Sequence, residues 1–290
     1  MAPTPIAIDQ TVSRIVARAL ADDVLTANDG YALIRANGQN LIALMWAAVE
    51  LNRRARPHSR VTYSRKLFLP LTNLCRDRCG YCTFVKGPGQ TGAHTMTPDE
   101  VLSVARQGAA LGCKEALFSL GDHPELRHPE MIETLRVLGY SSTPEYVAAM
   151  CKLVFEETGL LPHTNCGLLD SSEMASIAPW NASMGIMLEC VSSRLHRNDG
   201  AHHGTVTKDP ADRISTLERA GSLGVAMTTG ILIGIGETLE ERVDSLLAIR
   251  DVQERYGNIQ EIIVQNFRAK AATRMSSMPD ASTFDMLRTQ

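Results

Sequence analysis

From Lys66 onward, short apolar runs alternate with amphipathic stretches, and no other feature of this sequence restricts its fold as tightly. The apolar runs are residues 66–72, 115–120, 161–166, 185–190, 225–233 and 261–267. Stretches with helical spacing of apolar positions lie at 97–112, 143–158, 171–179, 209–223 and 238–256. Their starts carry recognisable chemistry. In Thr97-Pro98-Asp99-Glu100 and Thr143-Pro144-Glu145 a threonine cap precedes a proline at the first helical position, and Thr238 with Glu241 fits a capping box. Strand–helix alternation predicts a parallel sheet with helical crossovers. Six strands are expected, the first five each followed by a helix, with 281–288 starting a sixth. An eight-stranded barrel needs more chain, so the predicted class is α/β, a partial (β/α)6 TIM-like barrel. Ahead of it, residues 9–56 read as helices, with Val12, Ile15, Val16 and Ala19 on one apolar face, Leu41, Leu44, Met45 and Val49 on another, and a turn at Asn28-Asp29-Gly30. The expected division is a helical N-terminal extension over 1–60 and a core barrel over 61–290.

In such folds the site forms at the C-terminal ends of the strands and in the loops that follow. After the first run, L-C-R-D-R-C-G-Y-C places Cys75, Cys79 and Cys82 in a C-x3-C-x2-C array. Three thiolates within eight residues are too concentrated for core filler. They are one short of the four that normally hold a [4Fe–4S] cluster. A three-cysteine loop therefore leaves one iron open to a small-molecule ligand, as catalytic zinc keeps one position free. A zinc loop would need a fourth ligand, from Cys113, Cys166 or a histidine, and the sequence has no second C-x2-C. Cys113, Cys151, Cys166 and Cys190 sit on a helix or in apolar runs and read as small hydrophobes.

The other strand ends also carry suitable groups. Gly121-Asp122 follow the second run, Asn165 ends the third with His163 two residues earlier, and Glu189 ends the fourth. Gly234 to Glu237 follow the fifth, and Gln265-Asn266 end the sixth. Gly234 and Gly236 would let backbone approach a flat ring closely, and Glu237 would orient that turn or cap the next helix. Glu189 is placed to accept hydrogen bonds from ligand hydroxyls or to serve the reacting substrate, and His163 is a further candidate on the neighbouring strand. His202-His203 lie in a Gly-containing loop that reads as a lid.

The bulk numbers exclude several classes. A net charge of −3 gives no general case for nucleic acid or an anionic membrane surface. The local basic run Arg53, Arg54, Arg56, His58, Arg60, Arg65 and Lys66 has only Tyr63 interleaved and reads as a solvated helix end and linker. Seven cysteines, an odd number, without a secretory signal point to a reducing compartment and a cytoplasmic location. The longest apolar patch, Leu41 to Val49, is far short of the roughly 20 residues a membrane helix needs.

The cysteine spacing, with Tyr81 just before the last cysteine, resembles the signature of the radical S-adenosylmethionine (SAM) enzymes. Longer blocks, C-R-D-R-C-G-Y-C-T-F, A-L-F-S-L-G-D-H-P-E, T-T-G-I-L-I-G-I-G-E-T and Q-N-F-R-A-K, resemble the 7,8-didemethyl-8-hydroxy-5-deazariboflavin (FO) synthases, in their ring-closing subunit or N-terminal half. The resemblance runs from about Val61 to Lys270. It implies a [4Fe–4S] cluster on Cys75, Cys79 and Cys82, with SAM chelating the open iron. It also implies SAM contacts from Tyr81, Gly121, Asp122, Asn165, Glu189, Gly234 and Glu237. Glu189 and His163 become candidate catalytic residues, and Asn266 and Arg268 candidate substrate contacts. The implied reaction is that of a lyase. SAM is cleaved reductively, and hydrogen is abstracted from an adduct of tyrosine's hydroxybenzyl group with a ribityl-diaminouracil. Ring attack, loss of ammonia and an oxidation then give the deazaflavin. Implied partners are this small molecule, an adduct-forming radical SAM subunit or fused half, and an electron donor, with no nucleic acid and no membrane. Family members continue beyond Q-N-F-R-A-K, so the core is expected to be truncated at its C-terminus. Two other readings stay open: a radical SAM enzyme of biotin, menaquinone or thiamine type, and an inactive truncated iron–sulfur paralogue.

Overall fold

The computed structural model describes residues 8–56 and 61–290. His58 and Arg60 of the basic run lie outside the described residues. Six strands form one sheet: β1 (Lys66–Leu69), β2 (Glu115–Ser119), β3 (Leu161–Asn165), β4 (Ser183–Gly185), β5 (Met227–Ile233) and β6 (Ile259–Asn266). They lie in the order β1-β2-β3-β4-β5-β6, every neighbouring pair parallel. This is the expected open (β/α)6 arrangement. Every residue of β5 is buried, which suits its unbroken MTTGILI sequence, since a parallel strand covered on both faces has no solvent side. The edge strands differ: Phe68 of β1 is 50% exposed and Ile262 of β6 is 48% exposed.

The crossover helices are α4 (Pro98–Ala110), α5 (Pro129–Leu138), α6 (Thr143–Thr158), α7 (Ser171–Ile177), α8 (Pro210–Ser222) and α9 (Leu239–Tyr256), and α10 (Thr283–Thr289) follows β6. Capping boxes start α4 at Thr97 and α9 at Thr238, as expected. At α6 the cap is instead Ser142, whose hydroxyl accepts from the Glu145 amide. Thr143 is already helical there, and its amide and hydroxyl donate to Glu125 at 2.8 and 2.6 Å. The main core lies between sheet and helices, where Leu69, Phe118, Val101, Tyr146, Met174 and Leu217 are fully buried. Tyr146 is tolerated there because its hydroxyl donates to the Met96 carbonyl at 2.6 Å.

Two expectations about elements are corrected. The fourth strand covers only Ser183–Gly185, not 185–190. The Ile186 amide still donates to the Thr228 carbonyl at 3.1 Å; the chain then bends away and meets β5 again at a bridge from Glu189 to Ile231, where Glu189 has a φ of +65° that no extended strand can hold. Asn28-Asp29-Gly30 is not a turn. It lies inside helix α2 (Ala27–Leu33), between α1 (Gln10–Leu20) and α3 (Gly38–Ala55), because Thr26 and Asp29 form a capping box around it. Gly30 serves packing there: a Cβ would sit 2.6 Å from Val243 Cγ1 on α9. The N-terminal helices thus lie against the outside of the barrel, with the Leu25 carbonyl accepting from Arg250 at 3.1 Å. Among the described residues, no helix is long and apolar enough to cross a membrane.

Candidate functional site

The loop leaving β1 carries Cys75, Cys79 and Cys82, and backbone hydrogen bonds tie it to neighbouring strand ends. The Gly121 amide donates to the Thr72 carbonyl at 3.0 Å, and the Arg76 amide to the Asp122 carbonyl at 3.0 Å. Cys75 Sγ accepts from the amides of Asp77 at 3.3 Å and Asp122 at 3.2 Å. Gly121 is required by this approach, because a Cβ there would lie 1.8 Å from the Leu74 carbonyl oxygen. On the far side of the loop, the buried carboxylate of Asp77 accepts from the amides of Val206 at 2.7 Å and Thr207 at 3.0 Å and from the Thr207 hydroxyl. The Gly80 amide donates to Ala201, and the Met275 amide to Gly80, at 2.7 and 3.2 Å.

All three cysteines line one cavity of about 260 Å³ at the C-terminal ends of the strands. Gly121, Asp122, Asn165, Gly185 and Glu189 line it too, joined by Lys208 and Arg213. Burial pushes the Cys75 thiol up to about 11 and that of Cys79 up to about 12. Such thiols become thiolates only where a metal offsets the lost solvation. Among the described residues, no three His, Cys, Asp or Glu side chains converge on a single metal-ion position. Three thiols spread around an open cavity suit a polynuclear cluster, whose ligands bind different irons, better than one tetrahedral ion. The donor set of Cys75, Cys79 and Cys82 fits a [4Fe–4S] cluster, which these three residues would hold.

Asp122 is fully engaged by protein. Its carboxylate accepts from Arg76 Nε at 2.7 Å and the Leu168 amide at 2.7 Å, and it pairs with His123 Nδ1 at 2.9 Å. Burial disfavours the His123 cation, yet Asp122 and Glu173 on its two nitrogens lift it to about 9. Gly167, with a φ of +87°, lets the β3 loop pass over this carboxylate: a Cβ there would meet Oδ2 at 2.0 Å. Asp122 therefore clamps the cysteine loop to the ends of β2 and β3, and its surface toward the cavity joins the backbone of Gly121. At β3, Gly185 leaves room for Asn165, whose Oδ1 lies 2.6 Å from the position a Cβ would take.

Glu189 is the centre of the opposite wall. Its left-handed backbone turns the carboxylate inward, where it is only 7% exposed. Oε1 accepts from Lys208 Nζ at 2.7 Å and Tyr81 OH at 3.3 Å, and Oε2 has no partner among the described residues. Burial would raise this carboxyl, but Lys208 and Arg213 outweigh it and hold it below its ordinary value. Tyr81 also reaches His202 Nε2 at 3.2 Å. Burial, reinforced by Lys208, pushes His202 down to about 3, so its ring is neutral. Burial and then Glu189 push the Tyr81 phenol well above its usual value, so it stays protonated. Arg213, also buried, donates to the carbonyls of Met187 at 2.5 Å and Thr207 at 2.7 Å.

Tyr81 itself lies behind Glu189 and outside the cavity lining, as do the remaining sequence candidates. His163 is buried one pleat below Asn165, bonded to Ser183 Oγ at 2.7 Å, with burial and then Lys66 lowering its basicity. The carboxylate of Glu237 is consumed by its own turn: it accepts from the Gly234 and Ile235 amides at 2.8 Å each and from Arg242 Nε at 2.7 Å. It orients the glycine turn, one of the two roles expected of it. Arg268 is half-exposed and paired with Asp280 at 3.1 Å. Asn266, with its amide turned so that its oxygen accepts from Arg268, belongs to the same cluster. Asp77, Lys208, Arg213 and His202 escaped the sequence reading as site residues. In the sequence His202 stands out only as part of a lid loop, and an aspartate between two arginines is the one signal for Asp77.

The sequence profile of the Radical SAM superfamily matches residues 69–249. The chain is 50% identical over 285 residues to FO synthase of Nocardia farcinica, covering 95% of this chain and 33% of that protein. It is 47% identical over 229 residues to 7,8-didemethyl-8-hydroxy-5-deazariboflavin synthase of Methanopyrus kandleri, covering 79% of this chain and 69% of that one. The chain spans about a third of the length of the first of these curated relatives and over two-thirds of the second. The fold resembles the crystal structure of HydG, a maturase of the [FeFe]-hydrogenase, with a TM-score of 0.77 at 16% identity, covering 98% of this chain and 60% of that one. The cysteine cavity at the strand ends, the parallel six-stranded sheet and these likenesses agree: the chain belongs to the radical SAM superfamily and, within it, to the family of 7,8-didemethyl-8-hydroxy-5-deazariboflavin synthases.

Proposed function

We propose that this chain closes the deazaflavin ring, converting 5-amino-5-(4-hydroxybenzyl)-6-(D-ribitylimino)-5,6-dihydrouracil to 7,8-didemethyl-8-hydroxy-5-deazariboflavin with loss of ammonia. The observation that carries it is the single cavity bringing Cys75, Cys79 and Cys82 against the Gly121 turn, Asn165 and Glu189, in a chain about half identical to FO synthases. When bound, a [4Fe–4S] cluster and SAM supply a one-electron cleavage whose carbon radical abstracts hydrogen from the substrate. The chain's own residues bind, orient and exclude water. Gly121 and Asp122 offer backbone to the amino-acid end of SAM. Glu189 keeps Oε2 free for a hydroxyl, and its ion pair with Lys208 fixes that oxygen's position. Tyr81 supports Glu189 from behind as a neutral phenol. Asn165 offers an amide at the centre of the strand ends. The Gly234–Glu237 turn is preformed by the Glu237 carboxylate, which favours backbone presentation to an adenine over direct contact by that acid. His163 is read as a support beneath Asn165, and Asn266 with Arg268 as a rim toward the substrate. An adduct-forming radical SAM partner or half supplies the substrate, and a one-electron donor supplies the reductant.

The test is anaerobic reconstitution with iron and sulfide, then dithionite and SAM, with 5′-deoxyadenosine and deazaflavin absorbance measured with and without the adduct. Both products should appear together only when the adduct is present. Production of 5′-deoxyadenosine with no deazaflavin would refute the substrate, and production of neither would refute the radical reading.

A further inference from the structure

His202 lies on the loop that leads from Glu189 to α8, and only 1% of it is exposed. Its amide donates to the Leu195 carbonyl at 3.0 Å, and its carbonyl accepts from the Thr205 amide and hydroxyl at 3.1 and 2.8 Å. The preceding residue, Ala201, accepts from the Gly80 amide at 2.7 Å, right beside Tyr81. Two loops therefore fix where the imidazole stands. Its Nε2 lies 3.2 Å from the Tyr81 hydroxyl, which itself donates to Glu189 Oε1 at 3.3 Å. Its Nδ1 is buried and has no partner among the described residues. The adjoining His196 ring, with 5.4 Å between centroids, spends its own Nε2 on the Lys208 carbonyl at 3.0 Å.

Proton counting separates the two tautomers of this neutral ring. The imidazole has one N–H and the phenol one O–H, while the Glu189 carboxylate, paired with Lys208 at 2.7 Å, only accepts. With the imidazole proton on Nδ1, the phenol serves either Nε2 or Glu189 but not both, and a buried N–H is left unpaired. With the proton on Nε2, the imidazole donates to the phenol oxygen and the phenol donates to Glu189. Both contacts then become hydrogen bonds, and the cost of an unmade bond and an unpaired donor is avoided. We infer that His202 is a positioning residue for the ligand cavity: as the Nε2–H tautomer it donates to Tyr81, commits the phenol proton to Glu189 Oε1, and leaves Oε2 as the free acceptor for a ligand hydroxyl. The inference rests on the cofactor reading above and adds the residue that aims its acceptor. Each bond of such a chain polarises the next, so Tyr81 and Lys208 together pin Oε1 while Oε2 stays turned to the cavity. SAM and the ribityl adduct both carry hydroxyls that Oε2 could take.

The experiment has two arms. In apoprotein carrying 15N-labelled histidine, long-range proton–nitrogen correlation near neutral pH should find the His202 proton on Nε2, the ring being assigned by its absence from His202→Gln. A proton on Nδ1 would overturn the inference. In the second arm, calorimetry measures binding of SAM, and of the adduct in the presence of SAM, to the oxidised reconstituted holoenzyme, which cannot turn over. His202→Met and Tyr81→Phe should each weaken one of these ligands about tenfold, the effect of one hydrogen bond, and the ligand affected is the one whose hydroxyl meets Oε2. The double variant should bind no more weakly than either single one, because one chain carries both effects. His202→Gln keeps an N–H donor and should recover most of the affinity. Additive losses would mean that the two residues act separately, and unchanged binding of both ligands would mean that Glu189 needs no such support; either result overturns the inference, as does a Gln variant as weak as the Met one. Should His202→Met fail to hold iron, His202→Gln and the tautomer still decide. Failure of the wild-type holoenzyme to bind SAM would strike the cofactor reading instead, leaving the tautomer to judge His202.

Discussion

An added methyl group at Gly121 would reach within 1.8 Å of the Leu74 carbonyl oxygen and 2.6 Å of Cys75 Cβ. Neither is the end of a flexible side chain, so the cysteine loop itself must move. Gly121→Ala is expected to destabilise the protein by about 1–3 kcal/mol, the usual cost of overpacking. It should also lower iron incorporation well below wild type while leaving the helical signal in far-ultraviolet dichroism intact. Iron content per chain and a denaturant midpoint check both, and full iron loading would contradict it. At the same scale, Glu189 was legible as a polar residue at the end of an apolar run. Its partner Lys208 lies nineteen positions later, in a loop whose sequence says nothing of a buried ion pair. Lysine is read as solvent-facing by default; only the folded loop, returning over Tyr81, makes it a wall residue.

At the scale of elements, the glycine turn after β5 is held by α9 and α10 together. Arg242 is 8% exposed, donates to Glu237 at 2.7 Å, and reaches Asp285 of α10 at 3.3 Å. Removing the arginine leaves the nearly buried Glu237 carboxylate without its cation, a situation that costs about 3–5 kcal/mol. Arg242→Met is therefore expected to lower stability by that order and loosen the 234–237 turn. Arg242→Lys should recover only part, because an ammonium cannot reproduce the forked geometry toward two acids. Thermal unfolding of the three proteins side by side decides it; equal midpoints would refute the clamp. The helix boundaries were largely legible, since Thr97, Thr238 and their glutamates announce them locally. The failures at elements share one cause. Asn28-Asp29-Gly30 has turn composition, but Thr26 and the close fit of Gly30 against Val243 make it helical. Fourth-strand residues 186–190 are apolar enough for a strand, yet the chain bends away after Ile186 and regains β5 only at the left-handed Glu189.

For the molecule as a whole, the empty cysteine loop and the loaded one should differ measurably in protons. Burial raises Cys75 to about 11 and Cys79 to about 12, so both are protonated near neutrality and must be deprotonated to bind iron. Loading at about pH 8 should release about two protons from these two thiols, and iron affinity should climb as pH rises. It should also raise the unfolding temperature, because the cluster binds only the folded loop. Anaerobic pH-stat titration and calorimetry measure these effects; loading without proton release would mean that the thiols are already ionised. The loop is braced by Ala201, Val206, Thr207 and Met275, so hydrogen exchange should slow across 196–208 and 271–278 as well as at the cysteines.

The sequence alone determined the class of this protein and the chemistry of its cluster. Alternating periodicity dictates a parallel sheet, and three cysteines in eight residues dictate an incomplete iron site, because both are local properties of neighbouring residues. Tertiary structure alone decided which polar groups face the cofactor cavity. It placed Lys208 and Arg213 there, spent the Asp122 and Glu237 carboxylates on holding loops, set His163 below Asn165, and took Asn266 and Arg268 to an outer pair with Asp280. A side chain's direction depends on backbone turns such as that at Glu189 and on partners far along the chain, and neither is written in the spacing of residues.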